Sequence, residues 1–281
     1  MRILLTGSAG QLGRHLCHRL TGHDLCSADL PGHDLCRPGL IDTLVTDTID
    51  VVINAAALTD VDRCEREPEQ AQRINADIPR DLARACTRHG ARLIHVSTDH
   101  VFAGDAQRPY DEDDAPAPVN AYGQSKRAGE TAVRSLCANH VILRTAWLYA
   151  AGGHGFLPAI LRQGRDANAT VRVVDDQSGS PTSVAVVGDL ITALLDHPFR
   201  GLLHGACTPG ATRFEFAREV FALWSLPAQL ISCRTAEMPP RPAPRPTDTR
   251  LISRHLPIAG LPSPVTWREA LRHFYNHHPD A

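Results

Sequence analysis

Two rhythms of apolar and polar positions alternate along the first half of the chain. Short runs at 2–6, 23–29, 50–54, 93–97 and 141–144, bounded by Gly, Asp, Asn or Ser, predict strands. Between them, apolar residues three and four apart predict helices at 11–20, 68–88 and 122–137, with Pro79 marking a break or a new first turn in the second. Short strands separated by helices of this length predict an α/β fold: a Rossmann-like, doubly wound parallel sheet covered on both faces.

The second half is less regular. Helices are expected at 156–165, 184–195 and 213–223 and from Trp267 onward, with strands at 171–174 and 201–204. The stretch 184–204 is expected to return to the main sheet. Residues 1–146, with 184–204, therefore read as a dinucleotide-binding domain. Residues 147–183 and 205–281 read as a smaller, mixed α/β substrate-binding domain. Five prolines within 238–246 forbid a continuous helix there and predict an extended loop folded over a site.

Composition narrows the function classes. The chain has 281 residues, 43% of them hydrophobic, enough for a sizeable core. A formal net charge of −2 argues against a nucleic-acid partner, and an anionic ligand would need a local Arg cluster. No apolar run approaches the ~20 residues of a membrane helix. Met1 leads straight into the first strand with no room for a signal peptide, so a cytoplasmic protein is expected. The eight cysteines are scattered without a C-x-x-C and read as buried, reduced thiols rather than disulfides or a metal site.

The candidate chemistry begins at the N-terminus. Gly7, Gly10 and Gly13 form G-x-x-G-x-x-G directly after a strand and opening a helix. The early glycines permit a tight turn and close approach to a pyrophosphate, and the helix N-terminus faces it. Gln11 and Leu12 supply first-turn backbone N–H groups. Asp29, at the end of the second strand, is placed to accept hydrogen bonds from an adenosine ribose and would repel a 2′-phosphate. NADH is thereby favoured, with Arg14 or Arg37 leaving NADPH open. Ala55, Ala56 and Ala57 close the third strand with side chains small enough to leave room for a ribose. Ser97-Thr98-Asp99 closes the fourth strand, at the sheet edge where such folds bind ligands. Tyr122 and Lys126 stand four apart at the start of a helix, hence on one face. A cation so placed is expected to lower the phenol's pKa and fit it for proton transfer.

This set resembles the extended branch of the short-chain dehydrogenase/reductase superfamily. Five segments, in order, resemble dTDP-4-dehydrorhamnose reductases more closely: Val52-Ile53-Asn54-Ala55-Ala56-Ala57-Leu58-Thr59-Asp60-Val61-Asp62, Ser97-Thr98-Asp99-His100-Val101-Phe102-Ala103-Gly104, Leu143-Arg144-Thr145-Ala146-Trp147-Leu148-Tyr149, Asp176-Gln177-Ser178-Gly179-Ser180-Pro181-Thr182 and Arg245-Pro246-Thr247-Asp248-Thr249-Arg250-Leu251. The resemblance implies NADPH- or NADH-dependent reduction of the 4-keto group of a nucleoside-diphosphate deoxysugar. Tyr122 would protonate the alkoxide, Lys126 would hold the nicotinamide ribose, and Thr98 would orient the sugar oxygen. It adds Asp34 and Leu35 to the cofactor set, and Asp99, Trp147, Gln177 and Arg245 to the substrate set. Asp99 either contacts the sugar or caps the strand end, and Arg245 is the candidate for the diphosphate because a guanidinium grips phosphate oxygens bidentately. Three positions depart from the family pattern: Leu58, His100, and Asp248, which would oppose a diphosphate unless paired with Arg250. Some members form a dimer bridged by a metal on first-helix glutamates. Here that helix reads Arg14-His15, so a homodimer is kept as an expectation and the metal is not. Two other readings share the frame: a non-catalytic subunit resembling the methionine adenosyltransferase regulatory β subunit, and a nucleotide-sugar epimerase or dehydratase.

Overall fold

The computed structural model describes residues 1–152 and 155–280. Its first half runs β1 (Arg2–Thr6), α1 (Gln11–Arg19), β2 (Asp24–Ala28), β3 (Val51–Asn54), α2 (Ile78–His89), β4 (Arg92–Thr98), α3 (Ala121–Leu136) and β5 (His140–Thr145). The chain later returns through α4 (Val184–Leu195) and β6 (Gly201–His204). The six strands form one parallel sheet in the order β6-β5-β4-β3-β1-β2. From β1 the chain winds first to β2 on one side and then to β3 on the other. The crevice above β1 and β3 is therefore the switch point where such sheets bind ligands. Register brings Thr6 level with Asn54 and Thr98 level with Thr145, so the strand ends form one rim.

Alternation along each strand builds two cores. Ile3, Leu5, Ile53 and Leu143 face Leu16, Val187, Leu190 and Leu194 of α1 and α4. Leu4, Val52, Leu93 and Ile142 face Leu82, Ala83, Cys86 and Val133 of α2 and α3. A third core joins Leu157, Ile160, Val171, Val173, Phe216, Val220, Trp267 and Phe274. It covers a parallel pair, Thr170–Val174 with Gln229–Cys233. The short helix His255–Ala259 also returns to the main sheet, because Leu256 and Leu261 pack into the first core. Neither that return nor strand Gln229–Cys233 was expected from the sequence, and four of the strand's five side chains are left at least partly exposed.

The predicted helix 68–88 is two α-helical pieces joined by a π-helical turn, Arg73–Asp77, just ahead of Pro79. Proline lacks an N–H, so the ladder loses a donor there and the wider turn absorbs the loss. The Pro-rich stretch 238–246 is extended, as expected. Among the described residues all eight cysteines are unpaired. Five are buried, whereas Cys17, Cys26 and Cys36 are only partly so, contrary to their apolar-looking surroundings in sequence. No described helix is long and apolar enough to cross a membrane.

Candidate active site

The Gly-rich turn is wedged between β1, β3 and α1. Gly7 has φ +75°, and a Cβ there would lie 2.5 Å from the Ala56 nitrogen. A Cβ on Gly13 would lie 2.0 Å from the Gly7 carbonyl oxygen, so only glycine lets α1 sit this close to the turn. Gly10 is the N-cap of α1, and no side chain caps the helix. The positive end of the helix dipole is therefore open toward the crevice, as a pyrophosphate requires. Ala55, Ala56 and Ala57 lie beside it, half-buried, at the end of β3.

The other predicted cofactor residues divide. The side chains of Leu12 and Leu35 point into the cores, so only their backbones can face a ligand. Asp29 Oδ2 accepts the Ala9 N–H at 2.7 Å and Oδ1 accepts the Leu30 N–H at 2.8 Å. It thus fixes the Gly-rich loop to the end of β2 as well as presenting a carboxylate there. Asp34 closes a turn by accepting the Cys36 N–H at 2.9 Å.

The catalytic candidates meet where α3 begins above β4. Asn120 caps α3 by accepting the Gly123 N–H at 2.9 Å. Its amide also donates to the Pro244 carbonyl at 2.9 Å, holding the Pro-rich loop over the helix start. Tyr122 and Lys126 are 8% and 2% exposed, both inside the crevice rather than on a solvated face. Lys126 Nζ donates to the Val96 carbonyl at 2.7 Å. Thr98, at the end of β4, lies close enough to Tyr122 for its hydroxyl to act on the phenol. The Thr98 hydroxyl also donates to Asp99 at 3.0 Å. The His100 ring meets Tyr122 edge-on, centroids 5.4 Å apart. Burial holds the His100 imidazole below its ordinary pKa against the pull of Asp99, so at neutral pH the ring is uncharged. Its Nδ1 can then accept from the Asn120 amide 3.2 Å away.

The electrostatics overturn one expectation. Lys126 is not among the groups that shift Tyr122. Burial pushes the phenol's pKa well up, opposed by the nearby Thr98 hydroxyl and reinforced by Asp99. Desolvation of the phenolate therefore outweighs any help from the cation. Burial also brings the Lys126 ammonium down to about 8, with Glu130 resisting.

The predicted substrate residues also separate. Asp99 accepts from Thr98 through Oδ1 and from the Thr249 hydroxyl through Oδ2, and is buried. It ties the end of β4 to the segment 247–251, which favours the strand-capping alternative. Gln177 turns to the Thr235 hydroxyl at 3.1 Å. Arg245 is paired with Asp62 at 3.0 Å and donates to the Ala243 carbonyl. Asp248 is paired with Arg250 at 2.6 Å, so its charge is met within the chain. Trp147 lies against Gly179, where a Cβ would come within 2.2 Å of the indole. Its backbone φ is +45°, strained for a residue with a side chain.

Two functional positions escaped the sequence. Arg213, the first residue of helix Arg213–Leu223, lies over the Trp147 ring at 3.5 Å. Asn75, in the π-helical turn, accepts the Leu58 N–H at 2.9 Å and donates to Leu58 O and Ser125 Oγ, bracing the loop after β3 against α3. Neither stands out locally, since each gains its role from a partner distant in sequence.

Residues 1–279 match the family model described as "RmlD substrate binding domain". The chain is similar to a dTDP-4-dehydrorhamnose reductase of Mycobacterium tuberculosis, 41% identical over 277 residues, covering 96% of this chain and 91% of that protein. It is 39% identical to a probable dTDP-4,6-dihydroxy-2-methyloxan-3-one 4-ketoreductase of Streptomyces antibioticus, covering 97% and 94% of the two. The crystal structure of a dTDP-4-dehydrorhamnose reductase from Bacillus anthracis, in complex with NADP, superposes with a TM-score of 0.94 at 34% identity, covering 98% and 99% of the two chains.

Proposed function

Because the chain belongs to the dTDP-4-dehydrorhamnose reductase family, we propose that it uses NADPH or NADH to reduce the 4-keto group of a dTDP-linked deoxysugar. The sugar is dTDP-4-dehydro-L-rhamnose, giving dTDP-L-rhamnose, or a closely related 4-ketosugar. The observation that carries this reading is the convergence of Thr98, Tyr122 and Lys126 at the end of β4, beside the Gly-rich turn at the switch point.

The bound nicotinamide supplies a hydride to C4 of the sugar. What remains for the protein is to hold the carbonyl and to donate a proton to its oxygen. Burial keeps Tyr122 protonated at neutral pH, so the phenol is an acid and not a base in the resting site. The Thr98 hydroxyl, close beside Tyr122, is placed to orient the sugar oxygen next to the donor. Lys126 presents its ammonium from one helical turn deeper, anchored on Val96, where it would hold the nicotinamide ribose. The uncapped start of α1 would take the pyrophosphate, and Asp29 the adenosine ribose.

The reading extends to a cytoplasmic homodimer. It divides the work between residues 1–146 with 184–204, which hold the cofactor, and residues 147–183 with 205–281, which hold the sugar nucleotide. Segment 253–261 serves the sheet instead. The test supplies purified protein with a dTDP-4-keto-6-deoxy-L-hexose and NADPH or NADH, and follows loss of reduced nicotinamide. Tyr122→Phe should lower kcat by about 100- to 10,000-fold with the fold intact. Full activity in that variant would remove Tyr122 from the proton-transfer role.

A further inference from the structure

Arg213 is close enough to Asp99 and His100 at the end of β4 to act on both electrostatically, and among the described residues the chain leaves its charge unspent. Its guanidinium lies over Trp147, 3.5 Å from the ring centroid, and 4.9 Å from the Phe156 ring. Among the described residues it has no hydrogen-bond acceptor and no ion-pair partner. By contrast Arg245 is taken up by Asp62, and Arg250 by Asp248. The position is fixed from three sides. The Thr212 capping box with Glu215 sets the start of the helix that carries Arg213. The Arg213 backbone N–H is bound to the Gln177 carbonyl at 3.0 Å. Gly179 backs the indole on which the guanidinium rests.

A guanidinium stacked on an aromatic face keeps its five N–H donors in the plane of the stack, pointing outward at the rim. Partial burial brings this group down to about 9 even though Asp99 pulls it up, so it is a half-buried donor fork near that buried carboxylate. The neighbourhood decides what it takes. Asp99, Thr98, His100 and Tyr122 surround the place where the carbonyl is reduced. A dianionic diphosphate set against Asp99 would be repelled, whereas a neutral sugar hydroxyl is compatible with both charges.

Resting on the reductase reading above, we propose that Arg213, held on Trp147, is a specificity-determining residue that donates hydrogen bonds to a ring hydroxyl of the sugar, not to the diphosphate. It discriminates among 4-ketosugars by whether they carry that hydroxyl, because a bound sugar lacking it would cover the half-buried guanidinium without pairing it.

The experiment compares wild type, Arg213→Met and Arg213→Lys in the full chain. Calorimetry measures binding of dTDP-L-rhamnose and of dTDP, and NADPH binding reports the integrity of the fold. Arg213→Met should weaken dTDP-L-rhamnose by about 10-fold or more, the worth of a hydrogen bond to a charged group, and leave dTDP and NADPH within about 2-fold. Arg213→Lys, which keeps the charge but loses the flat fork, should recover only part of the loss and serves alone if the Met variant does not fold. KM for the ketosugar should rise in step while kcat changes little. Parallel weakening of dTDP would place the contact on the diphosphate and overturn the proposal, as would unchanged dTDP-L-rhamnose binding. Wild type that binds dTDP-L-rhamnose through Arg213 but consumes no nicotinamide would sink the reductase reading and leave this one standing. Turnover unaffected by Arg213→Met would do the reverse.

Discussion

At the scale of single residues, burial sets the chemistry of the site more than proximity does. Tyr122 and Lys126 were legible from their spacing, and so were Gly7, Gly10, Gly13 and Thr98. Their protonation was not, because desolvation depends on what the rest of the chain packs around them. The Lys126 value of about 8 has a signed consequence. Below it, folded and unfolded chains both carry the ammonium, so the cost of burying charge is present in full. Between it and the ordinary lysine value of 10.5 the folded chain has released its proton while the unfolded chain has not, and stability rises with pH. Lys126→Met removes that cost. Its stability relative to wild type, read by urea denaturation, should therefore decline from about pH 7 to about pH 10. A difference that does not vary with pH would mean that the lysine is not desolvated in the folded protein.

At the scale of elements, the placement of α3 over the end of β4 is the step that turns a Y-x-x-x-K pattern into a site. Gly123 sets the distance: a Cβ there would lie 2.1 Å from the His100 carbonyl oxygen and 2.8 Å from Pro118. Backbone cannot yield as a flexible side chain does, so Gly123→Ala should push α3 outward. The expected cost is about 1–3 kcal/mol in denaturation, with a loss of kcat because Tyr122 moves with the helix. Unchanged stability and turnover would show that the helix start is free to shift. The strands and long helices of the first half were readable because each buries a face, and burial imposes period 2 or 3.6 on the sequence. The two-residue strands Leu148–Tyr149 and Ser178–Gly179 carry no period at all. The π-helical turn likewise shows only as the Pro79 that follows it.

For the whole molecule, the Pro-rich strap 238–246 joins the two halves across the crevice. Asp62, just after β3, accepts the Ala243 N–H at 3.2 Å and pairs with Arg245, while Asn120 holds Pro244. The composition of the strap predicted an extended loop; the residues it lands on emerge only from the fold. Asp62→Ala removes two of these ties and leaves a partly buried Arg245 unpaired. Hydrogen exchange at the Arg241, Ala243 and Arg245 amides should then quicken and KM for the nucleotide sugar should rise, with NADPH binding unchanged. Exchange as slow as in wild type would mean that the strap is held by its own packing.

Isotope transfer shows whether hydride reaches C4 of the sugar with net use of the cofactor. The protein is given NADPH or NADH deuterated at the transferring position of the nicotinamide, together with a dTDP-4-keto-6-deoxy-L-hexose, and the product is read by NMR. One deuterium at C4 of the sugar is expected for each cofactor oxidised, and none of this product from Tyr122→Phe above a trace. A reduced or epimerised sugar without deuterium at C4, or turnover with no net oxidation of added cofactor, would contradict hydride delivery to C4.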